Sequence, residues 1–290
     1  MQQETGRIPA GVPEWRKRLR VFRRPMTAVG LAIIGIVVAL ALLAPVIAPY
    51  GPLDTDKGHF LEAPSAAHWL GTDDLGRDMF TRTLYGARLS LVSAVILVAI
   101  AAGLGTVLGA LAGYMGGSVD EVIMRLTDMF LAFPGLILAM AIAASLGPGL
   151  TNALIALSLV WWPWYARLVR GQFLTLRSAD YVEAARAMGG STWRVIFREA
   201  LPNALPPILI QTTLDLGYAI LNTAALSFIG LGAQAPQAEL GALISYGRSY
   251  IMTAWWYSTF PGLAIFITVL GINLLGDGVR DWLDPRARQA

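Results

Sequence analysis

The sequence predicts an all-α polytopic membrane protein with six transmembrane helices and both termini in the cytoplasm. Three observations carry this. First, 56% of the 290 residues are apolar and 14% charged, whereas a soluble domain sits nearer half and a quarter. So little polar surface cannot coat a soluble globule of this length. Second, long stretches contain no Asp, Glu, Lys or Arg. Third, sixteen of the 22 basic residues fall on one side of a six-span arrangement, as expected when Lys and Arg in short loops stay cytoplasmic.

The charge-free stretches are 26–53, 89–119, 129–166, 216–238 and 249–276. A spanning helix needs about 20 mostly apolar residues. The stretch 129–166 is 38 residues long and interrupted by Gly147-Pro148-Gly149, a turn signal, so it reads as most of two antiparallel helices. The fourth stretch extends back through Asp215 to about residue 206. The expected spans are then 27–48, 89–113, 122–146, 151–169, 206–231 and 258–277. The first apolar run, 22 residues, is longer than a signal-peptide core of 7–15, and Pro49 after Ala48 disfavours cleavage; it reads as a retained helix.

The leader to residue 26 carries seven basic residues (Arg7, Arg16, Lys17, Arg18, Arg20, Arg23, Arg24). The loop after the fourth span carries six (Arg167, Arg170, Arg177, Arg186, Arg194, Arg198) and the tail three (Arg280, Arg286, Arg288). These define the cytoplasmic side.

The external connection 50–88 is acidic and turn-rich, and its composition predicts a solvated loop; its spacing lacks the full EF-hand pattern. The cytoplasmic connection 170–205 reads as folded. Asp180 with Glu183 predicts a cap, Tyr181 to Met188 a short helix, and Gly189-Gly190 its stop. Ser191 or Thr192 is expected to start a second short helix that Pro202 closes. Arg125 and Asp128, one turn apart, are expected to pair. Gly105, Gly109 and Gly113 form a small-residue face for close helix approach. Trp161, Trp162, Trp164 and Tyr165, and outside Trp255, Trp256 and Tyr257, read as interfacial aromatic belts.

Chemistry of its own is scarce. The absence of cysteine removes disulfides, thiolate metal sites and thiol nucleophiles. Neither lysine stands in a Gly-Lys-Ser/Thr P-loop, and His59 and His68 have no zinc-protease spacing. An intramembrane enzyme would need a nucleophile with a base, or a metal pair, yet Asp215 is the one ionisable group predicted deep in a span. Gln211, Asp215 and Asn222 form one helical stripe, a candidate translocation path, since an ionisable group in lipid is costly. Facing and bonding to a partner chain is the other reading of Asp215. A membrane scaffold without transport is a further alternative.

The run Glu183-Ala184-Ala185, three residues, Gly189, then Leu201-Pro202-Asn203 resembles the EAA loop of permease subunits in bacterial ABC importers. Leu70-Gly71-Thr72-Asp73-Asp74-Leu75-Gly76-Arg77-Asp78, Tyr85-Gly86-Ala87-Arg88-Leu89-Ser90-Leu91, Leu131-Ala132-Phe133-Pro134 and Ala225-Leu226-Ser227-Phe228-Ile229-Gly230-Leu231-Gly232 resemble the C-type permeases of dipeptide, oligopeptide and nickel importers. The resemblance spans roughly residues 20–285. It departs where the family's Ile before Leu-Pro is Glu199, and at Thr223 and Asp215.

The resemblance implies an ABC type I importer permease fold. It divides the chain into a basic cytoplasmic segment (1–26), the first helix with its external loop (27–87), a five-helix permease core (88–280) holding the coupling loop 171–205, and a tail (281–290). It implies a non-catalytic subunit in a prokaryotic plasma membrane, with Glu183, Ala184, Ala185, Gly189, Leu201 and Pro202 seating on an ATPase. Implied partners are a homologous B-type permease, two ABC ATPase subunits and an external substrate-binding protein, with membrane lipid around them and no nucleic acid. No cofactor is expected in this chain; ATP and Mg belong to the partners. The implied cargo is a di- or oligopeptide, with nickel, glutathione or another small solute as the alternative.

Overall fold

The computed structural model describes residues 25–283. The basic leader and the last residues of the tail, with their part in the orientation argument, lie outside the described residues. Among the described residues there is no strand, and nine helices follow one another: α1 (Pro25–Ile47), α2 (Met79–Met115), α3 (Gly117–Leu131), α4 (Gly135–Leu146), α5 (Leu150–Leu176), α6 (Asp180–Ala187), α7 (Thr192–Phe228), α8 (Leu240–Gly247) and α9 (Trp256–Leu283). Four of them, α1, α2, α7 and α9, are long and apolar enough to cross a membrane, and the pair α3–α4 makes a fifth if counted as one span. The 27-residue α5 has the length but is outside that set.

Three elements differ from the expected spans. The helix expected over 122–146 is two helices bent by 91°. Pro134 is the reason: it has no N–H to donate and pushes Phe133 out of the helical region. The 12-residue α4 is about 18 Å long, too short to cross alone. Helix α2 begins ten residues before its expected start, at Met79, because the Asp78 carboxylate accepts from the Thr81 amide at 2.7 Å and caps it. The third difference is at Pro202, which does not close a short helix. A π-helical turn, Val195–Ala200, carries the chain from Thr192 straight into Leu201–Phe228. A proline ring clashes with the carbonyl four residues earlier and forfeits one hydrogen bond. The wider π turn, bonding the Leu201 amide to the Ile196 carbonyl five residues back, accommodates it.

The centre is a core shared by α2, α5, α7 and α9, in which Leu97, Leu157, Ile220 and Leu226 are at most 1% exposed. Packing of α2 on α5 depends on the expected glycine face. A Cβ at Gly113 would stand 2.6 Å from that of Phe173, and Gly105 and Gly109 lie as tightly on Tyr165 and Ala166. Only glycine lets the two backbones approach so closely.

The segment between α1 and α2, expected to be external, is not a solvated loop. Asp73 is fully buried, accepts from the Leu75 and Arg77 amides at 2.9 Å, and pairs with Arg77 Nε at 2.6 Å. Arg82, also fully buried, brings its Nε within 3.4 Å of the same carboxylate and donates to the Pro52 carbonyl at 3.0 Å. His68 Nδ1 lies 3.1 Å from the Asp78 carboxylate. The start of α9 closes this unit: Trp256 donates to the Thr72 carbonyl at 3.2 Å and Tyr257 to Asp74 at 3.0 Å. Those two aromatics are therefore buried ties rather than a belt; Trp255, half exposed, is the one that faces outward.

Arg125 and Asp128 do not pair with each other. Arg125 reaches Glu121, one turn back, at 2.5 Å, and Asp128 accepts from Arg167 of α5 at 2.7 Å. A second bridge, Arg170 to Asp120 at 2.5 and 2.7 Å, fastens α3 along α5.

Candidate functional site

Two places in the fold gather the singled-out residues. The first is the loop around α6, expected on the cytoplasmic side. Helix α6 starts after Ala179, so Asp180 stands in its first turn, where a carboxylate favours the helix dipole, and is not the cap. The helix ends as expected. Gly189 takes φ +82°, its amide bonds the Arg186 carbonyl, and the Gly190 amide bonds that of Ala185, a Schellman closure that L residues with a side chain resist. Ser191 then accepts from the Arg194 amide and starts α7.

One fully buried side chain on α6, Val182, anchors it against Val195, Ile196, Ala200 and Phe173. The opposite face is open: Glu183, Ala184 and Gly189 are exposed, with Met188 82% and Trp193 60% exposed beside them. Trp193 stacks on Phe197 at 5.4 Å. Ala185 and Leu201 are half-buried and Pro202 is exposed. Glu199 lies 3.9 Å from Arg194. Arg186 ties the loop to the end of α2, donating to the Tyr114 hydroxyl at 2.9 Å with its guanidinium 4.7 Å from the ring centre. That contact spans 72 residues of sequence, and no local pattern signals it.

The second place is a half-open cavity of about 700 Å³ between α5 and α7. Gln211 and Asp215 line it together, Gln211 Nε2 donating to the carboxylate at 3.0 Å. Asn222 is not with them: its amide donates back to the Tyr218 carbonyl at 2.8 Å. The remaining wall is Trp161, Trp164, Tyr165, Arg167, Leu168 and Tyr218. So the residues read as an interfacial belt divide: Tyr165 is fully and Trp162 nearly buried, Trp161 is half-buried, and Trp164 stays 62% exposed. Spacing held this signal, since 211, 215 and 218 share a helix face, as do 161, 164 and 165. Asp215 precedes Phe228 by 13 residues, placing it about 20 Å below that end of α7. Among the described residues, no group of three or more His, Asp and Glu side chains is placed to hold a metal ion.

The comparisons agree on what carries these two sites. Residues 105–289 match the family model for the binding-protein-dependent transport system inner membrane component. Residues 15–64 match that for the N-terminal TM domain of oligopeptide transport permease C. The probable D,D-dipeptide transport system permease protein DdpC of Escherichia coli is 48% identical, over 91% of this chain and 88% of that protein. The dipeptide transport system permease protein DppC of Alkalihalophilus pseudofirmus is 47% identical over 96% and 91%. The glutathione transport system permease protein GsiD of Pectobacterium atrosepticum is 44% identical over 94% and 92%. Among solved structures, the inward-facing MetNI methionine ABC transporter contains a chain with the same fold, at TM-score 0.57 and 23% identity, covering 71% of this chain and 98% of that one. The chain belongs to the inner membrane component family of binding-protein-dependent transport systems: it is a multi-pass plasma-membrane permease subunit of an ABC importer, in which partner subunits hydrolyse ATP.

Proposed function

We propose that this chain is the C-type half of the translocation path in an importer of di- and oligopeptides. It crosses the membrane six times, counting α5 and the bent pair α3–α4, with both termini in the cytoplasm. A homologous B-type permease completes the path, an external binding protein delivers cargo, and two ATPase subunits holding ATP and Mg drive the cycle. The near-half identity to two permeases named for dipeptides supports the peptide cargo; a relative named for glutathione supports a short peptide-like solute in general.

One observation carries the mechanism. Helix α7 runs unbroken from Thr192, beside the exposed face of the EAA-type loop, to Asp215 and on to Phe228. Glu183, Ala184, Ala185 and Gly189 seat the loop on the ATPase, Leu201 and Pro202 continue it into α7, and movement there reaches the cavity between α5 and α7 through one helix. Glu183 offers a carboxylate to a basic groove, and the alanines permit close approach. Gln211 and Asp215 face the path; Asn222, bonded within its own helix, lies further along it.

The direct test is uptake of labelled di- and oligopeptides by cells lacking this chain and by the same cells with it restored from a plasmid. Uptake that falls and returns supports the reading. Unchanged peptide uptake with a lost second solute, such as nickel, would keep the permease and change the cargo.

A further inference from the structure

We propose that the Asp215 cavity is an intramembrane binding site for a primary ammonium group, the free amine of a peptide in transit. This rests on the importer reading and names the chemistry by which the path would hold its cargo. Asp215 accepts a hydrogen bond from Gln211 at 3.0 Å, whereas a carboxylate has about four acceptor positions. The cation on the same wall, Arg167, is engaged elsewhere, donating to Asp128 of α3 at 2.7 Å. The Arg167–Asp128 pair is neutral as a unit, so the Asp215 carboxyl faces the cavity without a cation of its own.

A second observation adds to that carboxyl. Tyr165 is fully buried and lines the cavity, and its hydroxyl faces the Asp215 carboxyl without closing a hydrogen bond of ordinary length. A buried hydroxyl without a partner is costly. A ligand that donates several hydrogen bonds relieves this, because the phenol oxygen can accept. Trp161, Trp164 and Tyr218 add aromatic faces, which attract a cation most strongly where water is scarce.

The donor set selects among cations. A divalent metal seeks six or more oxygens, usually with several carboxylates, and one carboxylate does not make that set. An ammonium has three donors, and Asp215, the Gln211 amide oxygen and the Tyr165 hydroxyl are three acceptors of the right kind. The volume, about 700 Å³, lies within the range of small-molecule sites. The same group occurs at a peptide N-terminus and on a lysine side chain, and the ligands below separate the two.

The test uses the importer's membrane complex, this chain with its partner permease and ATPases, in lipid nanodiscs without the binding protein, so that only the membrane site reports. Binding of labelled Ala-Ala, N-acetyl-Ala-Ala and Nα-acetyl-Lys-Ala is measured at equilibrium. Acetylation of Ala-Ala is expected to weaken binding by about tenfold or more, the loss of one charged hydrogen-bonded contact. Asp215→Asn is expected to abolish that preference and Asp215→Glu to keep part of it. Binding of Nα-acetyl-Lys-Ala as tight as Ala-Ala assigns the site to any primary ammonium; weak binding assigns it to the peptide N-terminus. Equal binding of Ala-Ala and its acetylated form by the unaltered complex overturns the proposal. So does a preference that survives in Asp215→Asn, or no binding of Ala-Ala even at millimolar concentration. Uptake by the full importer separates the two readings: peptide import without amine preference in nanodiscs ends this site alone, while absence of peptide import ends the cargo assignment.

Discussion

The two ends of this molecule, outer and inner in the orientation proposed above, are both polar in sequence, and they are built in opposite ways. At the outer end, the segment before α2 hides its charges: Asp73 and Arg82 are fully buried and His68 is 3% exposed. At the inner end, the loop around α6 exposes nearly everything and is held by one buried valine, Val182, and one tie, Arg186 to Tyr114. A charge-rich connection is thus a lock in one place and an exposed face in the other. The difference lies in long-range partners. The outer segment is closed by Trp256 and Tyr257 of α9, whereas the inner loop keeps its outward face free.

The contrast predicts effects of different kind and size. The largest belongs to the outer lock. Arg82→Ala leaves Asp73 buried without one of its two cations, and breaking a buried charge pair costs about 3–5 kcal/mol. Detergent-solubilised protein should lose most of its folded fraction in a thermal unfolding series, and a stability close to the unaltered protein would break the comparison. At the inner end, Glu183→Lys and Gly189→Leu should leave the amount of inserted protein nearly unchanged while abolishing uptake. The second variant forces a side chain into φ +82°, at about 1–2 kcal/mol. Normal uptake in both would remove the loop from the coupling role.

Smaller effects sharpen the same picture. Val182→Ala removes two buried methyl groups' worth of apolar contact, about 1.5 kcal/mol, and should raise protease nicking within 177–191 before any global unfolding. Nicking that stays at the unaltered rate would mean α6 is held by something besides its valine. The smallest effect concerns His59 on the exposed surface of the outer segment. The Asp56 carboxylate, by hydrogen bond and then by charge, and Glu62 behind it, raise its pKa above the usual histidine value. Because the folded value is raised, the contact stabilises fully below the ordinary histidine pKa and is lost as pH rises through the folded one. An NMR titration should place the His59 midpoint above that of a free histidine and show it falling in Asp56→Asn.

Much of this architecture was legible in the residues. Charge-free runs located the long helices, because lipid tolerates few charges. The spacing of Gly105, Gly109 and Gly113 foretold a close helix approach, though not that α5 is the partner, and Gly189 foretold the end of α6. Local signals misled where distant packing decided the outcome. Pro202 reads as a stop, yet Val195, Ile196 and Ala200, all fully buried, hold the chain helical across it, and tertiary packing outweighs intrinsic preference. Pro134 carried the break between α3 and α4, but the surrounding apolar run concealed it. Composition could not show that Asp73 and Arg82 meet inside the protein, nor that Trp161, Trp164 and Tyr165 turn toward Asp215. Aromatic residues near a membrane surface fit a belt and a cavity wall equally well, and only the rotation of α5 separates the two.

The π turn ahead of Pro202 has a consequence for timing. Without it α7 would be two rods joined by a joint, and events at the cytoplasmic surface could run ahead of events in the cavity. With it, Trp193 and Asp215 sit on one rod, separated by 22 residues, about 33 Å. A tilt at one end is then carried to the other, so on the path proposed above cargo residence beside Asp215 is set by whatever grips the inner face.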